Sequence, residues 1–293
     1  MTTDNEHSEA IKKALDLLKE LTASLDGWKF SSETDNVKLY NKDVEGESLP
    51  IMRGDTILAG HKYTPQQLST VATLPGCRTI WDQRFGESQI ISRYSQYYAL
   101  FWASMKAPWP VYWRDLCATS LREISDDLCY VVMTSVIDEK IPEKSGYVRA
   151  NLAVSGWKFE KVEEGVAITY VNQIDLAGYI PPAFLRGLQQ QIPLCAGKVV
   201  DYIQDYGYPP TAYQCDIEFN DEEFDHGKKM YTAKLDGVGQ CSWYVSGTMY
   251  PNGFNVQVDG SNASVVKTPQ ENGDTDLTVK GIQGASTLKI TKA

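Results

Sequence analysis

From residue 28 to about 175 the chain repeats one pattern: short stretches in which apolar and polar residues alternate, most of them separated by polar turns. The alternation then stops, and a long helical pattern opens at Pro181-Pro182. The alternating stretches fall at 28–30, 37–40, 52–58, 88–93, 97–104, 115–123, 128–136, 147–158 and 166–173, with a turn over 43–48. Successive strand side chains point to opposite faces, so this region reads as a meandering antiparallel sheet whose apolar face must be covered. Near the start, Ile11, Leu15, Leu18, Leu21 and Leu25 recur at three- and four-residue steps with charged residues between them. That spacing is helical; Ser8 can cap it and Gly27 can end it. The second long helix runs from Pro182 to about Gln204, with Phe184, Leu185, Leu188, Ile192, Val199, Val200 and Ile203 on its apolar side. Pro at the first helical position is favourable there, and Pro193 inside the pattern should kink or split the helix. A short helix over 64–73 has Pro65 in its first turn and is stopped by Pro75-Gly76. The order is α+β, a sheet gripping a helix.

Composition narrows the function. The 293 residues carry a formal charge of −10, with 42% apolar and 23% charged residues. This is a globular balance, not a disordered one. The acidic excess argues against a general nucleic-acid binder, which needs clustered Lys and Arg. No apolar run approaches the roughly 18–20 residues of a spanning helix. The start MTTDNEHSEA is polar and acidic, unlike a signal or transit peptide. A cytoplasmic protein is expected. The six cysteines, at 77, 117, 129, 195, 215 and 241, form no CxxC pair and read as reduced, mostly buried thiols. None of His7, His61 and His226 has a His or Cys at metal-ligand spacing, so no metal site is expected. A Cys-His or Ser-His pair stays open on spacing, but no G-x-S-x-G elbow or P-loop occurs.

The stretch Tyr208-Pro209-Pro210 reads as a linker, and beyond it the composition changes. Residues 212–293 contain no Arg, 7 Lys and 11 acidic residues, with many turn-forming positions. Alternation at 214–219, 230–235, 241–245, 254–258, 276–280 and 287–290 suggests a small all-β sandwich.

Four motifs in the first 210 residues resemble the START family (steroidogenic-acute-regulatory-protein-related lipid transfer). They are Cys77-Arg78-Thr79-Ile80-Trp81-Asp82, resembling a Trp-Asp strand start, and Ala107-Pro108-Trp109-Pro110 running on to Arg114-Asp115. Gly146-Tyr147-Val148-Arg149 and Gln173-Ile174-Asp175, continuing to Gly178 and Ile180-Pro181, complete the set in the family's order. The spacing is most similar to the phosphatidylcholine-transfer branch. The resemblance implies a helix-grip fold over residues 1–210 with one internal lipid cavity. It has a mouth formed by the C-terminal helix and the 108–110 loop. It also implies no cofactor. Burying methylenes is worth about 0.8 kcal/mol each, so a diacyl lipid with about thirty of them requires a closed cavity rather than a groove.

On this resemblance the lipid-binding residues are Arg78, Trp81, Asp82, Trp102, Leu116, Tyr170, Phe184 and Leu188. Arg78 suits a phosphate and needs a partner such as Asp82 if buried. Met105, Lys106, Trp109 and Pro110 would form the gate and touch the membrane, where indole prefers the headgroup layer. Arg114, Asp115 and Arg149 are expected to be structural. The sequence departs from the family's headgroup codes at Leu116, where the choline cage has Tyr, and at Ser120, where sterol-type members have Arg. The C-terminal part, through Gln240 to Val245 and Gly253 to Val258, has a faint similarity to the GOLD domain. Three functions compete: a non-enzymatic carrier of one phospholipid or sterol with transient membrane contact, a lipid sensor binding a protein partner through residues 212–293, and a helix-grip enzyme. The first leads; the third is weakened because the gripping sheet holds no His beyond His61, so an acid such as Asp82 would have to serve as base.

Overall fold

The computed structural model describes residues 5–47 and 49–293, so the end of the expected 43–48 turn and the first four residues lie outside the described residues. The chain forms two compact units, Met1–Pro65 with Asp82–Val200, and Gln66–Trp81 with Asp201–Ala293. The composition change places the division at 210–212; in the fold, residues 66–81 group with the C-terminal part.

In the first unit, α1 (Ser8–Ala23) precedes β1 (Lys29–Thr34), β2 (Val37–Lys42) and β3 (Ile51–Ala59). After residue 82 come β4 (Phe85–Ser95), β5 (Tyr98–Met105), β6 (Trp113–Ile124), β7 (Leu128–Ser135), β8 (Tyr147–Arg149), β9 (Asn151–Val162) and β10 (Gly165–Asp175). Two helices follow, α4 (Pro182–Gln191) and α5 (Cys195–Tyr206), once α2 (Pro65–Thr73) and α3 (Pro75–Trp81) are counted in chain order; α5 belongs to the first unit up to Val200 and to the second from Asp201. The strands form one sheet in the order β1-β2-β3-β10-β9-β7-β6-β5-β4, with β8 paired to β6 in parallel. The expected 147–158 strand is thus two strands, divided at Ala150. Pro193 lies between α4 and α5 and splits the long helix, as its missing N–H demands.

The two faces of this sheet have different covers. Ile11, Ala14, Leu15, Leu18 and Leu21 of α1 pack with Val132, Val154 and Val171. Gly156 lies on the same face, because it pairs with Val171 and Val132, and a Cβ there would run into the Leu18 methyls. Register places Tyr170, Trp157, Val131 and Leu116 on the opposite face. Gly54 pairs with Tyr170, and a Cβ on Gly54 would strike the Pro193 carbonyl. The α4–α5 junction therefore lies directly on this second face. The helix start differs from expectation: His7 is the N-cap and makes no side-chain capping bond to the helix, and Ser8 Oγ instead accepts from the Asn5 N–H at 2.8 Å.

In the second unit, Pro75 does not end helical structure; it opens α3, so Trp81 closes a helix rather than starting a strand. The C-terminal strands are β11 (Thr211–Cys215), β12 (Glu218–Asp225), β13 (Met230–Asp236), β14 (Val238–Val245), β15 (Phe254–Asp259), β16 (Ser264–Pro269), β17 (Thr275–Gln283) and β18 (Ser286–Lys292). They make two antiparallel sheets, β11-β14-β17-β16 and β12-β13-β18-β15. Trp243 of the first is fully buried and its indole donates to the Tyr231 hydroxyl of the second at 3.2 Å, joining the layers of the sandwich. β16, which the sequence pattern did not reveal, is exposed along its length at a sheet edge. Two expectations are corrected. Tyr208, Pro209 and Pro210 are buried, with the Tyr208 hydroxyl donating to Asp274 at 2.9 Å, so they are core rather than linker. Cys215 and Cys241, directly opposite in the β11–β14 register, form a disulfide; Cys77, Cys117, Cys129 and Cys195 are buried thiols. No helix among the described residues is long and apolar enough to cross a membrane.

Gly54→Ala is expected to destabilise the protein by about 3 kcal/mol, because the backbone at Pro193 has no flexible end to give way. An unchanged denaturant midpoint would show that Pro193 does not rest on β3.

Candidate functional site

The face carrying Tyr170 is the candidate site. Alternation from β3 to β5 turns Met52, Ile168, Trp157, Val131, Leu116 and Phe101 toward it, all buried. Its aromatic wall is ordered: the Trp157 ring stacks on Tyr170 at 4.2 Å and lies parallel to Phe159 at 5.7 Å. Leu188 of α4 is buried and Phe184 half-buried. Ser155 and Asn172, which sequence reading passed over, lie beside Tyr170 on this face. Their signal was a polar residue at an inward position of an otherwise apolar strand, readable once the register is known.

Trp102 does not join them. It pairs with Cys117 and packs with Leu100 and Ile141 on the other face. Its indole donates to Asp115 at 2.9 Å, and Lys144 sits over its ring at 3.4 Å. Arg149 grips the same carboxylate with bonds of 2.8 and 2.9 Å. Burial alone would raise the Asp115 pKa; the bonds from Arg149 and Trp102 outweigh it and hold the carboxyl below its ordinary range. Asp115 thus joins Trp102 and Arg149 on this face.

Arg78 and Trp81 belong to the second unit, the other expected lipid contacts to the first. Trp81 is buried, its indole donating to the Val71 carbonyl at 3.1 Å, and Arg78 is half-buried with its guanidinium 5.9 Å from that ring. Asp82 is buried and accepts from the Arg84 N–H at 3.1 Å, with the Arg84 guanidinium at 3.8 Å. Arg84 also donates to the Cys195 sulfur at 3.6 Å, an Arg–Asp pairing that no sequence motif had marked.

The expected gate residues cluster in an exposed loop. Trp109 is 92% exposed, with Lys106 and Pro110 also exposed and Met105 half-buried. Tyr112 at 68% and Tyr179 at 85% add two further exposed aromatics. Arg114 connects the two loops that carry them. Its guanidinium donates to the carbonyls of Leu176 and Ala177, each at 3.0 Å, and to that of Tyr112.

Two titratable clusters lie outside this face. His7 Nε2 meets Asp138 at 2.8 Å with Glu6 at 3.7 Å, a grouping of ligand-type atoms that linear spacing did not show. In the second unit, His226 Nδ1 lies 2.7 Å from the Tyr202 hydroxyl and Nε2 lies 3.1 Å from Lys229. Burial first, then the Lys229 charge, lowers the His226 pKa from 6.5 to about 4, so the ring is neutral near pH 7. Burial pushes the Cys77 thiol, bonded to Tyr202, up to about 12. It is therefore no thiolate nucleophile, and this arrangement does not supply the Cys-His pair that spacing had left open.

A long antiparallel sheet with a helix on one face and a split C-terminal helix on the other defines a helix-grip protein. The START domain model matches residues 8–199, and the chain belongs to that family. Its fold is similar to human STARD10, at 19% identity, 70% coverage of this chain, 81% of that chain and a TM-score of 0.59. Human StAR-related lipid transfer protein 5 is similar at 17% identity, with 68% and 98% covered and a TM-score of 0.59. A StAR-related lipid transfer protein fragment from Xanthomonas axonopodis is 23% identical, with 60% and 97% covered and a TM-score of 0.50. By sequence the chain is 25% identical to the uncharacterized protein PA1579 of Pseudomonas aeruginosa, over 59% of this chain and 84% of that one.

Arg114→Lys is expected to lose the forked bonds and about 2 kcal/mol, and to speed protease cleavage at 106–112 and 176–181 together. Cleavage at one loop alone would show that Arg114 does not couple them. For His226, the depressed folded pKa means that stability is complete above about pH 6.5 and falls as pH drops toward 4. His226→Asn should flatten the decline in melting temperature across that window; an identical decline would place the acid sensitivity elsewhere.

Proposed function

We propose that residues 1–210 carry one lipid against the Tyr170 face of the sheet, beneath the 182–199 segment, and exchange it between membranes without chemical conversion. The observation that carries this reading is the apolar, buried face that α1 does not cover, in a member of a family whose relatives include named lipid transfer proteins. Acyl or ring carbons laid there gain about 0.8 kcal/mol per methylene. Leu116, Tyr170, Phe184 and Leu188 contact the lipid, and Asp82 with Arg84 shapes one end of its site. Arg78 and Trp81, which belong to the second unit, and Trp102, on the other face, are left out of this site.

Met105, Lys106, Trp109 and Pro110 form the gate, and Trp109, Tyr112 and Tyr179 lead it into the headgroup layer, where aromatic rings are favoured. Opening separates Arg114 from the Leu176 and Ala177 carbonyls, so the same side chain sets both closure and exchange. With a net charge of −10, contact with anionic membranes is brief and apolar rather than electrostatic. The composition favours a cytoplasmic shuttle; the Cys215–Cys241 bond points the other way, toward an oxidising compartment.

A second reading is a lipid sensor that binds a protein partner through the C-terminal sandwich. The open edge β16, with Val265 and Val266 exposed, favours it, since such an edge accepts an added strand. One assay separates the two: transfer of labelled lipid between vesicles at catalytic amounts of protein, with lipid retention followed by native mass spectrometry. A carrier transfers, and Trp109→Ala slows transfer several-fold while retention holds. Retention without transfer supports the sensor, and retention of no lipid sinks both.

A further inference from the structure

Ser155, Tyr170 and Asn172 set a polar group within the apolar lining of the Tyr170 face. Asn172 pairs with Ser155 across β10 and β9, which sets both on the face of Tyr170. The Tyr170 hydroxyl lies 3.1 Å from Ser155 Oγ and 3.3 Å from Asn172 Nδ2, which donates to it. Ser155 is 4% exposed, Tyr170 7% and Asn172 6%. The remaining amide atom, Asn172 Oδ1, is buried and has no hydrogen-bond partner. A buried polar atom left unpaired is destabilising, so its presence on a face built to receive a ligand identifies the group that the ligand must bring.

Oδ1 accepts only, so the missing partner is a donor. We infer that Ser155, Tyr170 and Asn172 form the polar end of the lipid site and take an uncharged hydroxyl, as carried by a sterol or an acylglycerol, in preference to a choline phospholipid. A hydroxyl donates to Oδ1 and still accepts from the network. The phosphodiester of a choline phospholipid brings no donor and would set a second acceptor against Oδ1. With the amide turned over, the open atom is Nδ2, and a hydroxyl oxygen fills it equally well. An anionic phosphate would then lie against three neutral groups that offer it no countercharge. The stacked Trp157 and Tyr170 rings adjoin the polar group with a flat apolar wall suited to the carbon skeleton. This inference rests on the carrier reading and narrows its ligand class.

The test loads the full chain from dioleoylphosphatidylcholine vesicles containing a minor fraction of cholesterol, cholesterol methyl ether, dioleoylglycerol or its methyl ether. Retained lipid is then quantified by mass spectrometry. The alcohol should be retained roughly tenfold over its ether in the sterol arm or the glyceride arm, which tells the two sources apart. Asn172→Leu should erase that preference; it removes the unpaired oxygen together with the 3.3 Å bond to the Tyr170 hydroxyl, which keeps Ser155 as a partner. Tyr170→Phe keeps the ring stack and should erode the preference too, and it decides the matter if the leucine variant does not fold. Equal retention of alcohol and ether in both arms, preferential retention of phosphatidylcholine, or an undiminished preference in the variants would overturn the hydroxyl site alone. Retention of none of these lipids would overturn the carrier reading and this inference with it.

Discussion

The first unit depends on one constraint: a single long sheet must bury both of its faces, and it does so against two helical segments of different kinds. On one face α1 lies close enough that a Cβ at Gly156 would meet the Leu18 methyls and the Val131 carbonyl. That is ordinary core packing, with Ile11, Leu15 and Leu21 completing a close-packed layer. On the other face the approach of the main chain at Pro193 to Gly54 is equally tight, but it is a point of contact at a helix break. Around that point the apolar and aromatic side chains of β10, β9 and β6 are buried, while only Leu188 of α4 is fully so. On the carrier reading, a lipid can be exchanged at this face only if it is less firmly sealed than the α1 side.

Arg114 is the second organising element. Its charge is buried, which lowers its pKa, and it has backbone carbonyls rather than a carboxylate as its described partners. A guanidinium with five donors in a fixed fork can tie together two loops, and here it joins the backbone at Tyr112 to that at Leu176 and Ala177. Asp115, next in the strand, points to the other face and fastens Arg149 and Trp102 there, so two adjacent residues serve opposite sides of the sheet.

Much of the fold was legible in the chain because period two and period 3.6 are local properties. The alternating stretches between 28 and 175 became strands, and the proline at 193 broke the helix where a missing N–H must break it. What went unread was fixed by register or by contacts distant in sequence. Cys215 and Cys241 are 26 residues apart, and only the pairing of β11 with β14 brings them together. Tyr208-Pro209-Pro210 has the composition of a linker, yet a buried hydroxyl bond to Asp274 makes it core. Pro75 reads equally as a helix stop and as a first helical residue, and it is the second.

The candidate site divides along the same line. The sequence alone determined the family, the strand-rich region, the split C-terminal helix and the Pro108-Trp109-Pro110 loop, since each is written in residues near one another. Only the tertiary structure decided which side chains share a face. A shift of one position along a strand reverses a side chain, which is why Trp102 lies on the face opposite Leu116 and Tyr170. The same pairing set Ser155 and Asn172 beside Tyr170 and left one amide oxygen buried and unpaired. No composition or motif carries that information, because it arises from the register of two strands rather than from the chemistry of either.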